Sequence, residues 1–274
     1  MGSRFVRLHT IGSLPEGVEE HILQLLEGCY QSISYPQPWV EVRVVDTLEN
    51  LKRLWEADRR RAGVTDFAEE GFLSLYDAWE DFPRITLCWQ RLAPLEQLLR
   101  EGVLRHEAAH SLLHNQLEYY KFNLPAEIVS TARQRGFTQD LLRTILYLVS
   151  IAVKDMEATA LLVHHGFLSC QEALALYQLQ VEEEEFAWQL IKEQPVGRVL
   201  YFAVQLKPIL FSLSLVNSLP SPHRLRSQLG AFIEHLPPVY CRKLLDLAQK
   251  IESQPYRSTH QKVDHTMRLL FSTF

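Results

Sequence analysis

The residues of this chain best suited to chemistry are His106-Glu107-Ala108-Ala109-His110. On a helix, His106 and His110 lie one turn apart on the same face, about 6 Å along the axis, so both imidazoles can reach one ion. Glu107 is rotated by roughly 100° from His106 and can act on a ligand of that ion without binding the ion itself. This H-E-x-x-H pattern predicts a metal site that carries its own general base.

The residues around the motif predict that it lies inside an apolar helix. Leucine and valine recur at helical spacing on both sides of it, at Leu98, Leu99, Val103, Leu104, Leu112 and Leu113. Ala108 and Ala109 are small enough for close contact with a neighbouring element. Because an apolar helix does not readily bury two histidines and a glutamate without a use for them, metal binding is favoured. The alternative is a buried histidine pair held by hydrogen bonds alone.

A catalytic zinc site needs a third protein ligand besides the two histidines, and a water at the fourth position. His114 is eight residues from His106 and therefore about 12 Å further along the helix, which makes it a second-shell group or a surface residue. Carboxylates in the apolar stretch 141–163 are better ligands, since an acid buried there is costly unless a cation compensates it. Glu157 is the first choice; Asp155 is an alternative ligand or a second-shell group that orients a histidine. In a reading without a metal, Asp155 pairs with a basic residue of its own helix and Glu157 lies at a solvent edge.

The elements that position these residues predict an α+β fold that is mostly α. A small N-terminal β-sheet precedes and covers the motif helix, which runs from Pro94 to about Asn115. Strands are predicted at Trp39–Val45, Gly71–Trp79 and Arg84–Trp89, and helices at Pro15–Ile33, Leu48–Ala62 and Thr138–His165, the last ended by Gly166. Proline breaks after residue 169 indicate a helical C-terminal half. We therefore predict a metal-binding domain over 1–166 and a helical region over 167–274 that packs on it.

The composition excludes some classes of partner. The 274 residues are 47% hydrophobic, enough for a full core, and the formal net charge of −5 with scattered Lys and Arg argues against nucleic acid binding. The four cysteines form no C-x-x-C pair, which is typical of thiols in a reducing compartment. The stretch Leu200–Val216 is interrupted by Gln205, Lys207 and Pro208, so we predict no membrane span and a cytoplasmic protein.

The motif helix, the small sheet before it and the acidic helix about fifty residues after it resemble the zincin metallopeptidases, specifically the gluzincin type. The resemblance covers roughly Trp39 to Gly166 by architecture and five residues by strict motif. It implies a Zn²⁺ ion held by His106, His110 and Glu157, with Glu107 as the general base. The chain departs from this family at Ala160 and Leu161, where many gluzincins have an aspartate that supports a histidine, and Asp155 is the substitute for that role.

The predicted function is zinc-dependent hydrolysis of a peptide or protein substrate, in which Glu107 takes the proton of a metal-activated water and passes it to the leaving amine. The hydrogen-bond donors available to the oxyanion are Tyr119, Tyr120, His164, His165 and Tyr201. Alternatively, the two tyrosines pack at a loop, and the two histidines lie near a helix C-terminus, where the helix dipole favours them. A second function is a catalytically silent, metallopeptidase-like zinc protein that acts as an interaction module. A third is a metal-independent helical adaptor.

Overall fold

The computed structural model describes residues 5–33, 39–63, 73–80, 82–180, 184–255 and 258–274. Its strands are β1 Val6–Ile11, β2 Val40–Val45, β3 Ser74–Asp77 and β4 Arg84–Cys88. Its first helices are α1 Val18–Ser32, α2 Leu48–Ala62, α3 Trp89–Leu92, α4 Gln97–Leu113, α5 Ala126–Gln134 and α6 Gln139–His164, with a 3-10 turn at Leu117–Tyr120 before α5. The later helices are α7 Leu168–Gln178, α8 Glu184–Ile191, α9 Pro195–Val216, α10 His223–Ile233, α11 Pro238–Ser253 and α12 Thr259–Thr273. The predicted fold class is confirmed: a small sheet near the N-terminus is followed by a helical half.

The chain divides into two compact units. The first comprises Met1–Tyr120 and His164–Gln171, and the second comprises Lys121–Val163 and Glu172–Phe274. This division differs from the predicted boundary at residue 166, because most of α6 groups with the later helices. The sheet and the motif helix therefore belong to one unit and the acidic helix to the other.

The sheet of the first unit has the strand order β1-β2-β4-β3. Strands β1, β2 and β4 run parallel, and β3 is antiparallel to β4 with Asp77 opposite Arg84. β1 was not predicted, although Val6, Leu8 and Thr10 alternate as in a strand. The predicted strand Gly71–Trp79 is shorter, and its first two residues lie outside the described part of the chain.

Helix α4 carries the motif and lies among the other elements of the first unit. It packs against α1, β3 and β4, and its buried apolar residues include Leu99, Val103 and Leu112. The hydroxyls of Tyr30 in α1 and Ser111 in α4 are 2.6 Å apart and share a buried hydrogen bond. The predicted motif helix is confirmed, with ends that differ by two or three residues.

In the second unit, the most buried long helix is α9. It packs against α8, α10, α11 and α12, and Pro195 takes its first position, where a missing N–H has no cost. Among the described residues it is the helix long and apolar enough to cross a membrane, and 72% of its most apolar stretch is buried within the protein. Burial of that kind is typical of a helix in a globular core. Helix α6 ends within one residue of the prediction on each side, and Gly166 follows it with a φ of 83°.

Candidate metal centre

The three motif residues are buried side chains on α4. His106 is 6% exposed, Glu107 8% and His110 7%. Neighbouring Ala108 and Ala109 are fully buried, because the small side chains let the adjacent elements approach this part of the helix. Polar groups removed from water in this way are stable only when other groups satisfy them.

The two histidines face each other. His106 Nε2 and His110 Nε2 are 3.1 Å apart, and the ring planes are nearly perpendicular, at 89°. A tetrahedral zinc ion with Zn–N bonds of about 2.0–2.1 Å holds its nitrogen ligands about 3.3–3.4 Å apart. The pair therefore presents two nitrogens near the separation that one ion requires, and the donor set fits a divalent metal.

The opposite side of the His110 ring contacts other polar and aromatic groups. His110 Nδ1 lies 3.1 Å from Nδ1 of His114, which is buried and follows the last residue of α4. The Tyr76 ring stacks on His110 at 5.8 Å, and its hydroxyl donates to the backbone carbonyl of His114 at 3.0 Å. Tyr119 meets the His114 ring edge to face at 5.3 Å. The contacts with His114 and Tyr76 therefore fix the orientation of the His110 ring.

Glu107 has its own hydrogen-bond donor. Ser74 Oγ in β3 donates to Glu107 Oε1 at 2.5 Å. Sequence reasoning missed Ser74 and Tyr76, which occupy alternate positions of one short strand and so lie on one face of the sheet. The alternation of side chains along the predicted strand indicates that Ser74 and Tyr76 share a face. The sequence did not indicate that this face contacts α4.

Tyrosines near Glu107 are held as neutral phenols. Burial raises the pKa of Tyr76, with further contributions from Asp77, Tyr30 and Glu107. Burial likewise raises the pKa of Tyr120 well above its usual range, and Tyr76, Asp77 and Glu107 add to the shift. Both side chains therefore remain O–H donors at neutral pH. Of the predicted oxyanion donors, Tyr120 lies in the electrostatic surroundings of Glu107, and Tyr119 contacts His114.

The two carboxylates of α6 have different partners within the second unit. Glu157 accepts hydrogen bonds from Lys262 Nζ at 2.8 Å and Thr259 Oγ1 at 2.9 Å, both from α12. Asp155 is 6% exposed, and its Oδ2 lies 3.2 Å from Nζ of Lys207, whose side chain is 44% exposed. Residues two apart on a helix are separated by roughly 200°, so the two acids occupy opposite faces.

The remaining predicted oxyanion donors have other surroundings. His164 is exposed, and its ring meets that of His165 edge to face at 5.2 Å at the end of α6. Tyr201 in α9 shares a 2.6 Å hydrogen bond with His235 Nε2 and packs on Trp188. His164 and His165 therefore have the surroundings of a helix end, and Tyr201 has those of a helical core.

Comparisons of the chain with protein-family models, with curated proteins and with solved structures find no match.

Proposed function

We propose that this protein is a zinc-dependent peptide hydrolase with Glu107 as its general base. The observation that carries the proposal is the buried pair of imidazole nitrogens, 3.1 Å apart, on a helix that also bears Glu107. Two imidazoles one helical turn apart, with a carboxylate directly after the first, are an arrangement suited to metal-assisted hydrolysis. The likeness of this arrangement to the zincin metallopeptidases is part of the proposal.

The proposed ligands are His106, His110 and Asp155. Each is a buried side chain whose nitrogen or carboxylate oxygen suits a divalent metal. Asp155 is preferred to Glu157, the first choice from the sequence, because Glu157 already accepts two hydrogen bonds on the face toward α12. Lys207, which pairs with Asp155, is partly exposed. Water can therefore solvate its ammonium group when a metal binds the carboxylate of Asp155.

The residues of the chain have distinct roles in the proposed reaction. A bound zinc ion supplies Lewis acidity, which lowers the pKa of a water and polarises the substrate carbonyl. Glu107 accepts a proton from that water and delivers it to the leaving amine, and Ser74 holds one carboxylate oxygen so that the other faces the reacting groups. Tyr120, neutral at the working pH, is the proposed donor to the oxyanion.

Two measurements on the full chain test the proposal. Metal analysis of the purified protein should find about one zinc per chain, lost in the double variant His106→Ala/His110→Ala. A quenched fluorescent peptide library should be cleaved by the zinc-loaded protein and not after treatment with a chelator. Glu107→Gln should keep the zinc and lose about 10²–10⁴-fold in rate, the usual contribution of a general base.

The outcomes separate the proposed function from its alternatives. Stoichiometric zinc without cleavage of any peptide by the unmutated chain would overturn the hydrolase and favour the silent zinc module with an interaction role. Absence of zinc binding would overturn both and leave the metal-independent adaptor. Exposed apolar side chains on α8, Phe186 and Leu190, one turn apart, are the surface that an interaction role would use.

A further inference from the structure

We propose that His114 is a positioning residue that accepts a hydrogen bond from His110 Nδ1–H and so directs the Nε2 lone pair of His110 toward the metal. This inference rests on the proposed function, because it assigns a role beside one of the proposed ligands. Its basis is the 3.1 Å separation of the two Nδ1 atoms in a buried position.

The chemistry of the imidazole restricts how this contact can form. A neutral imidazole has one N–H and one lone pair, so one ring must donate and the other accept. If His114 donates, the proton of His110 is on Nε2 and points at His106, which blocks coordination there. If His110 donates, its Nε2 carries a lone pair directed at His106 Nε2, 3.1 Å away. Only the second arrangement is compatible with a shared metal ion, and second-shell partners of metal ligands commonly select the tautomer in this way.

His114 is held in place by several contacts besides the one between its ring and that of His110. Its backbone N–H donates to the carbonyl of His110 at 2.8 Å, completing the last helical hydrogen bond, although its φ and ψ of −125° and 38° are no longer helical. Its carbonyl accepts from Tyr76, and its ring lies against Tyr119. The side chain is 1% exposed. A buried ring that packs on Tyr119, and whose backbone is held by two hydrogen bonds, can impose an orientation on its neighbour, whereas a surface histidine cannot.

His114 is too far from His106 to share a metal ion with it, but its distance from His110 suits the positioning role. It is two turns from His106 but only one turn from His110, and residues at that spacing are neighbours on a helix surface. The rival explanation is that His114 only fills space in the core. A volume effect would be reproduced by any side chain of similar size, whereas the positioning role requires an acceptor at the place of Nδ1.

The test uses three single variants of the full chain. His114→Ala removes the acceptor, and His114→Asn restores an acceptor oxygen close to the position of Nδ1. Asn115→Ala is the matched control, because Asn115 is the next residue and bonds only weakly to the backbone carbonyl of Leu112, at 3.5 Å.

The first measurement is the tautomer of His110, by ¹⁵N-detected NMR of the metal-free protein. Unmutated protein, His114→Asn and Asn115→Ala should have the His110 proton on Nδ1, and His114→Ala should shift it toward Nε2. The second measurement is zinc affinity by chelator competition, in which His114→Ala should bind about 10–100-fold more weakly and the other two within about threefold of the unmutated chain.

The results distinguish this inference from the proposed function. If the His110 proton is on Nε2 in the unmutated chain, or does not respond to His114→Ala in a folded variant, the positioning role is wrong. If His114→Asn binds zinc as weakly as His114→Ala, the role is again wrong, since the restored acceptor has no effect. If the tautomer follows His114 as expected but the unmutated chain binds no zinc, the hydrogen bond is upheld and the proposed hydrolase is overturned.

Discussion

Neutralising the two carboxylates of α6 one at a time should have opposite effects in two assays. Asp155→Asn replaces the carboxylate of the proposed metal ligand by an amide, while Glu157→Gln removes a charge that lies beside Lys262 in a mostly buried position. The first substitution should weaken zinc binding with little change in the stability of the metal-free protein. The second should lower stability and leave zinc binding unchanged.

The expected sizes follow from the surroundings of each acid. Structural zinc sites of four ligands bind with roughly 10–16 kcal/mol, so one ligand contributes about 3 kcal/mol and its loss weakens binding about 100-fold. Lys207, which loses its partner in Asp155→Asn, is 44% exposed and can turn to solvent at little cost. Lys262 is 16% exposed, so the loss of its charged partner in Glu157→Gln should cost about 2 kcal/mol, or roughly 4–8 °C in Tm.

The assays are chelator competition for zinc affinity and thermal unfolding of the metal-free chain. Asp155 is not the third ligand if Glu157→Gln loses zinc affinity about 100-fold while Asp155→Asn retains it, because Glu157 would then be the ligand, as first predicted. Equal, small effects of both substitutions on zinc affinity would exclude α6 as the source of the third ligand.

Three further predictions concern residues of the first unit. Ser74→Ala should lower kcat/KM about tenfold with unchanged zinc content, because the bond that orients Glu107 is lost; an unchanged rate would remove Ser74 from the mechanism. Asp77→Asn should lower the free energy of unfolding by about 3 kcal/mol in denaturant titrations, because Arg84, 1% exposed and 2.9 Å from Asp77, keeps its charge; a loss below about 1 kcal/mol would mean that the other acids near Arg84 compensate. Burial raises the pKa of Cys29 from 9.0 to about 12, so the native thiol keeps its proton while the unfolded thiol loses it, and stability should fall as pH rises from about 9 toward 12. Cys29→Ala should reduce that fall, and identical pH profiles would contradict the assigned pKa.

Much of the fold could be predicted from the sequence because its signals are local. The periodicity of apolar residues located α2, α4 and α6 to within a few residues, and Gly166 correctly ended α6. Strand β1 was not predicted, because an alternation over only six residues is a short signal and the strand is held in place by its pairing with β2.

The site was predicted in part, for a similar reason. His106, Glu107 and His110 lie within five consecutive residues, so helical geometry alone brings them together. The roles of Ser74, Tyr76 and His114 depend on β3 lying against α4 and on how the chain leaves that helix after Leu113. No period in the sequence carries that information.

The sequence by itself determined that two imidazoles and a carboxylate share one turn of a buried helix, because residue spacing sets the side-chain directions on a helix. Only the tertiary structure decided the choice of partners for the two acids of α6. Lys262 and Thr259, more than 100 residues further along the chain, draw Glu157 toward α12, and the opposite face of α6 is the one that bears Asp155. That choice depends on contacts between distant segments, which form only when the chain has folded.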